Sequence, residues 1–235
     1  MPNGKILTKI ILIIFALLIG GFLVQTGIYY YKIKKGLITQ EEFEKKFTSA
    51  KNLPTATSAL KTDEILSKTA PSFGTATPKL TIVEFGNFAC PYSQEVAPTA
   101  RELMVKNKDK IKFIYRTFPL DDIYENSTYL SMAGMCANEQ KMFWPMHDKL
   151  FYSPKADPAA LAKQAGLDEN KFNSCISKEK YTADIQKDFD DGYKNGVTGT
   201  PTFFFIKAGE ESAPIKVHGA IPKDTFEKMV SELLK

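Results

Sequence analysis

The chain has 235 residues, 43% of them apolar and 25% charged, with a formal net charge of +4. That supports a real core in one good-sized domain with additional segments. The positive balance does not make a nucleic-acid surface: Arg101 and Arg116 are the only arginines among 31 basic residues, and the lysines are scattered among Asp and Glu.

The N-terminal segment is uninterrupted apolar residues and glycine from Ile10 to Val24. Counted from Ile6 to Tyr31, it reaches the roughly 20 residues that cross a bilayer. Tyr29, Tyr30 and Tyr31 resemble an interfacial aromatic belt, and Lys32, Lys34 and Lys35 follow as a polar stop. Residues 1–33 therefore read as an N-terminal transmembrane anchor. A cleaved signal peptide is the rival reading, weakened because no Ala-x-Ala-like site follows the apolar run. Lysines flank both ends, so charge does not set the orientation.

Residues 34–78 read as a juxtamembrane segment and linker. Thr39 with Glu42 three residues on makes a plausible helix start. Asn52 to Pro78 is rich in Thr, Ala, Ser and Pro, as linkers are, and Asp63 to Lys68 reads as a short turn of helix. The globular domain is expected over residues 79–235.

Leu80–Gly86 is a buried strand. Cys90-Pro91-Tyr92-Ser93 follows it directly, and a helix is expected from about Gln94 to Lys108. A cysteine there sits at a helix N-terminus, where orphan N–H groups and the helix dipole favour a thiolate, the nucleophilic form. Lys110–Phe118 alternates like a second strand. Tyr124 to about Tyr152 is helical in character, broken near Trp144-Pro145. Pro158–Ala165, Glu169–Ile176 and Lys180–Asn195 read as short helices. Thr202–Ile206 is a strand, Ile215–His218 pairs with it, and Lys223–Leu234 closes the chain as an amphipathic helix. This order is an α/β, thioredoxin-type arrangement with a helical insertion at about 122–196.

The three cysteines are Cys90, Cys136 and Cys175. An odd count in an oxidising compartment suggests one structural pair and one free thiol. Cys90 has the reactive context, which leaves Cys136 and Cys175 as the candidate disulfide. Two unpaired core thiols, or one of them acting as a partner for Cys90, are the alternatives. Disulfides persist outside the cytoplasm, which places the bulk of the chain there. His147 and His218 are the only histidines and lack a surrounding acid or cysteine cluster, so no metal site is expected.

Two separated motifs carry a family resemblance. Thr81-Ile82-Val83-Glu84-Phe85-Gly86-Asn87-Phe88-Ala89-Cys90-Pro91-Tyr92 resembles the strand and active-site entry of DsbA-like thiol:disulfide oxidoreductases. Val197-Thr198-Gly199-Thr200-Pro201-Thr202-Phe203-Phe204 resembles their cis-proline loop. Between them, Cys136-Ala137-Asn138-Glu139-Gln140 and Phe143-Trp144-Pro145-Met146-His147-Asp148 resemble their helical insertion.

The resemblance implies roles. Cys90 would be the nucleophile. Ser93 stands where the family has its second, resolving cysteine; a hydroxyl can hydrogen-bond a thiolate but cannot attack a disulfide. Glu84 resembles the buried acid that shuttles protons near the active sulfur, with ionisation opposed by desolvation. Pro201 would be cis, and Pro91, Tyr92, Thr200 and Pro201 would form the substrate-binding surface. No cofactor is expected, because sulfur carries the chemistry. The implied function is thiol–disulfide exchange on secreted proteins by a membrane-anchored protein of the bacterial cell envelope, through a single cysteine. A small-molecule thiol or a membrane redox partner would complete the cycle. The rival is a redox-inactive module that holds peptides as a chaperone.

Overall fold

The structure, a computed structural model, describes residues 61–235. The expected membrane anchor and the Thr39 helix start lie outside the described residues. Among the described residues, no helix is long and apolar enough to cross a membrane.

The elements in chain order are α1 (Thr62–Leu66), β1 (Ser72–Gly74), β2 (Leu80–Gly86), α2 (Pro91–Lys106), β3 (Ile111–Thr117), α3 (Ser127–Glu139), α4 (Phe143–Tyr152), α5 (Pro158–Ala165), α6 (Glu169–Ser177), α7 (Thr182–Lys194), β4 (Thr202–Lys207), β5 (Ile215–His218) and α8 (Lys223–Leu233). The sheet order is β1-β3-β2-β4-β5. β2 and β3 run parallel, while the β1–β3, β2–β4 and β4–β5 pairs are antiparallel. Every residue of β2 is buried, which its continuous apolar run requires of a central strand.

One face of the sheet packs Val83, Phe85, Ile114, Phe118, Phe204 and Ile206 with Ile65 and Val197. On the other face Phe203 and Phe205 meet Phe226 of α8, with ring centroids 5.1 and 5.8 Å apart. Helices α3–α7 lie between β3 and β4, and the insertion core gathers Leu130, Met146, Leu150, Leu161 and Phe172 around Phe88 and Tyr115.

Three boundaries depart from the sequence reading. The folded unit reaches upstream of Lys79: β1 pairs with β3, and Ile65 of α1 is fully buried. The short, polar composition of 62–78 hid this, because β1 has only three residues and needs β3 as its template. The break in the long helical stretch falls at Gln140–Met142, before Trp144-Pro145, because a proline in the first turn of a helix costs no intrahelical bond. Helix α2 starts at Pro91, for the same reason.

Arg116 of β3 is fully buried and holds three elements together. Its Nε donates to Asp188 at 2.6 Å and one terminal nitrogen to Asp191 at 2.7 Å, both on α7. The other terminal nitrogen donates to the Glu64 and Ile65 carbonyls of α1. The guanidinium also stacks 5.2 Å from the Phe85 ring centroid.

Cys136 of α3 and Cys175 of α6 are disulfide-bonded, with Cα atoms 5.8 Å apart and a sequence separation of 39. Cys90 is the free cysteine. Closing a loop of that length is worth about 3–4 kcal/mol in the chain-entropy account. The double variant Cys136→Ser/Cys175→Ser is expected to lose that much in urea unfolding of the oxidised protein. An unchanged midpoint would mean the insertion is already held by packing.

Candidate functional site

Cys90 is the N-cap of α2, with extended backbone (φ −80°, ψ 123°) and Pro91 as the first helical residue. A tight turn brings it there: the Cys90 N–H donates to the Asn87 carbonyl at 3.0 Å. The side chain is 1% exposed, and its thiol donates to the Thr200 carbonyl at 3.2 Å. The Thr200–Pro201 peptide is cis. Two segments 110 residues apart therefore meet at one sulfur, because β4 lies beside β2 and delivers the proline loop to the end of the sheet where α2 begins.

Ser93 is fully buried, and its hydroxyl accepts from the Asn87 N–H at 3.4 Å. Pro91 and Tyr92 open the helix at the surface, with Tyr92 58% exposed. Thr200 is buried, and its Oγ1 has no hydrogen-bond partner among the described residues.

Glu84 lies on β2, in register with Tyr115 on β3 and Phe203 on β4. The carboxyl is buried, Oε1 lacks a partner among the described residues, and burial pushes its pKa from 4.5 to about 8. Tyr115 is buried beside it with an unpartnered hydroxyl. Its phenol is held well above the ordinary range by burial, then by charge on Glu84 and Cys90. Glu84, Tyr115 and Cys90 thus share one low-dielectric pocket. Gly86 makes room for it: a Cβ there would lie 2.6 Å from the Tyr115 ring.

A folded-state pKa near 8 means the native protein keeps this proton while the unfolded chain releases it. The stability tied to Glu84 is complete below pH 4.5 and is lost as pH rises to about 8. Glu84→Gln, which cannot ionise, is expected to raise stability at pH 7, on the order of 3 kcal/mol, and to flatten that pH dependence. Chemical denaturation at pH 5, 7 and 8 would check it; equal slopes for both proteins would rule it out.

Sequence reasoning passed over two residues here. Asn87 is fully buried and joins the pieces: its Oδ1 accepts from the Ala89 N–H at 2.9 Å, and its Nδ2 donates to Ser127 Oγ at 3.0 Å. Ser127 Oγ in turn donates to the Tyr124 carbonyl at 2.6 Å. Tyr124 is half-buried, and its phenol is held above its ordinary range by hydrogen bonding to Cys90, then by burial and by charge on Cys90 and Tyr92. The available signal for Asn87 was a polar residue between a buried strand and Phe88; Tyr124 gave none. His147, read as a packing residue, is indeed in the insertion core, with Nδ1 3.0 Å from Asp148 Oδ1.

An open cavity of about 650 Å³ lies beside Cys90, walled by Ala89, Pro91, Tyr124, Tyr129, Leu130 and Pro158 among others.

Among curated proteins, the chain is 33% identical to the Na(+)/H(+) antiporter NhaA 1 of Salinispora arenicola over 129 residues, 53% of this chain and 20% of that protein. The chain therefore spans about a fifth of that curated relative's length. Among solved structures, it superposes on the thiol-disulfide exchange protein alpha-DsbA2 of Wolbachia pipientis with a TM-score of 0.61 and 22% identity, covering 73% of this chain and 90% of that one. A periplasmic thioredoxin-like protein of Salmonella enterica serovar Typhimurium matches with a TM-score of 0.56 and 24% identity, covering 73% and 94%. These likenesses establish the fold. The family profile described as thioredoxin matches residues 66–229, a stretch that holds the free cysteine, the cis-proline and the whole insertion, and the chain belongs to that family.

Proposed function

We propose that this protein is a thiol:disulfide oxidoreductase that exchanges disulfides with polypeptides outside the cytoplasm, through Cys90 alone. The observation that carries the reading is a free cysteine at a helix N-cap, bonded at 3.2 Å to the carbonyl preceding a cis-proline. The N-cap position sets the sulfur beside the unpaired N–H groups of the first helical turn. The Thr200 backbone offers an extended substrate a pairing edge, with Pro91, Tyr92 and Pro201 around it.

In the first step the Cys90 thiolate attacks a substrate disulfide. One Cys90–substrate S–S bond forms, the old S–S bond breaks, and the other sulfur leaves as a thiolate. Buried Ser93 has no sulfur to displace Cys90, and Cys136 and Cys175 are bonded to each other. A second thiolate, from the substrate, a small thiol or a membrane redox partner, releases Cys90. Neutral Glu84 acts as the proton store of the pocket, consistent with its pKa near 8. The apolar N-terminal segment tethers the domain to the membrane, and the Cys136–Cys175 disulfide fits an oxidising envelope compartment.

The test is to incubate the reduced-at-Cys90 protein with a disulfide-bonded peptide and look by mass spectrometry for a 1:1 mixed disulfide on Cys90. Its formation, and release by added glutathione, is the expected outcome. Peptide binding without a mixed disulfide would favour the peptide-holding module.

A further inference from the structure

We infer that Thr202 and His218 are positioning residues for this exchange, a side-chain clamp that holds the cis-proline loop, and with it the Thr200 backbone, against Cys90. The inference rests on the proposed reading of Cys90 as the exchanging thiol.

Thr202 opens β4, which continues as Phe203, Phe204, Phe205 and Ile206. It is a fully buried polar residue at the head of that apolar run. A buried hydroxyl is costly unless it is paired. Here it is paired twice: Oγ1 donates to the Gly199 carbonyl at 2.7 Å and lies 3.1 Å from His218 Nδ1. The carbonyl can only accept, so the single hydroxyl proton goes to Gly199. The imidazole is therefore the donor in the second bond, with its proton on Nδ1. His218 faces Thr202 because the two are register partners of β5 and β4. Beside it, the Gly219 N–H donates to the Pro201 carbonyl at 2.8 Å. Gly199 and Thr202 bracket the cis Thr200–Pro201 peptide, so their bond closes the loop from which the Thr200 carbonyl accepts the Cys90 thiol at 3.2 Å.

The clamp acts on two events in opposite directions. In the proposed cycle a peptide disulfide lies along the Thr200 edge before its sulfur meets Cys90, so a loop free to shift loses productive poses. The Thr200 carbonyl accepts from the protonated thiol, which favours the neutral sulfur. A loosened loop gives up that bond and frees the thiol to ionise. A small alkylating reagent needs no backbone edge and senses only the second effect. Thr202 and His218 exchange no proton or electron with the reacting sulfurs; they act through the loop alone.

Thr202→Val keeps the side-chain shape and removes the hydroxyl. In the full-length protein it is expected to slow mixed-disulfide formation with a disulfide-bonded peptide about three- to tenfold. Iodoacetamide alkylation of Cys90 at pH 7 should equal or exceed the parent's rate in the same variant. Thr202→Ser, which restores the hydroxyl, should return both rates to the parent's. His218→Leu, at an exposed position that tolerates the change if Thr202→Val does not fold, should give the same opposed pattern with smaller amplitude. His218→Asn, whose amide can donate in place of Nδ1, should reverse it. Peptide exchange and alkylation falling together would signal a general structural defect and overturn the inference. So would His218→Leu protein that matches the parent in peptide exchange. Parent protein that is alkylated at Cys90 but forms no mixed disulfide would overturn the proposed function, and this inference with it.

Discussion

Cys90→Ala is expected to abolish thiol–disulfide exchange, by at least about 10³-fold, while leaving the fold intact. In the proposed cycle the sulfur is the bond-forming atom, so removing it leaves no alternative route, unlike the loss of a supporting group. The fold tolerates the change because Cys90 is small, caps a helix through its backbone, and contributes a thiol hydrogen bond to Thr200 that alanine simply omits. The assay is turnover of a disulfide-bonded peptide with reduced glutathione as the thiol that releases Cys90 and supplies the electrons. Residual turnover above about 1% of the parent would refute single-cysteine chemistry. Ser93→Cys is the informative companion. It places a second thiol three residues along α2, and the long-lived mixed disulfide should give way to an internal one, with release no longer dependent on added thiol.

Arg116→Met is expected to be the most damaging substitution for stability, costing about 3–5 kcal/mol. Removing one member of a buried ion cluster leaves the others charged and without their counter-ion. Asp188 would retain only its bonds from the Thr117 N–H and hydroxyl, at 3.0 and 3.3 Å. Asp191 would fare better, because Lys187 also donates to it at 2.6 Å. Burial alone would raise the Asp191 pKa, but hydrogen bonds from Lys187 and Arg116 outweigh it and hold the carboxylate below its usual range. The Glu64 and Ile65 carbonyls of α1 would lose their donor as well. Against a total stability of about 5–15 kcal/mol, such a loss is a large fraction. Urea unfolding should show a lower midpoint, and adding Asp188→Asn to Arg116→Met should recover part of it. A cost below about 1 kcal/mol would mean the cluster breaks even with an apolar side chain, which buried ion pairs sometimes do.

The main elements were legible because each has a local cause. The apolar run of β2, the alternation of β3 and the Phe-rich β4 predict strands, and proline and Asp or Gly signals mark α5 and α6. Cys90 stood out because its type, its proline and the helix after it lie within a few residues. Pro201 stood out for the same reason, and the cis bond agrees with that reading. Glu84 was singled out because it resembles the family's buried acid, but its burial needed β3 and β4 on both flanks.

What the residues determined alone was therefore the series of elements, the free-thiol candidate and the pairing candidate for the other two cysteines. The tertiary structure decided which distant groups act on them. Thr200 reaches Cys90 across 110 residues, Asp188 reaches Arg116 across 72, and Ser127 reaches Asn87 across 40. The β1 strand exists because β3 is there to pair with it. Hydrophobic periodicity, capping and turn chemistry act over a few residues and leave a local trace. A hydrogen bond or a desolvation shift depends on which atoms arrive from elsewhere, and that is fixed when the layers pack.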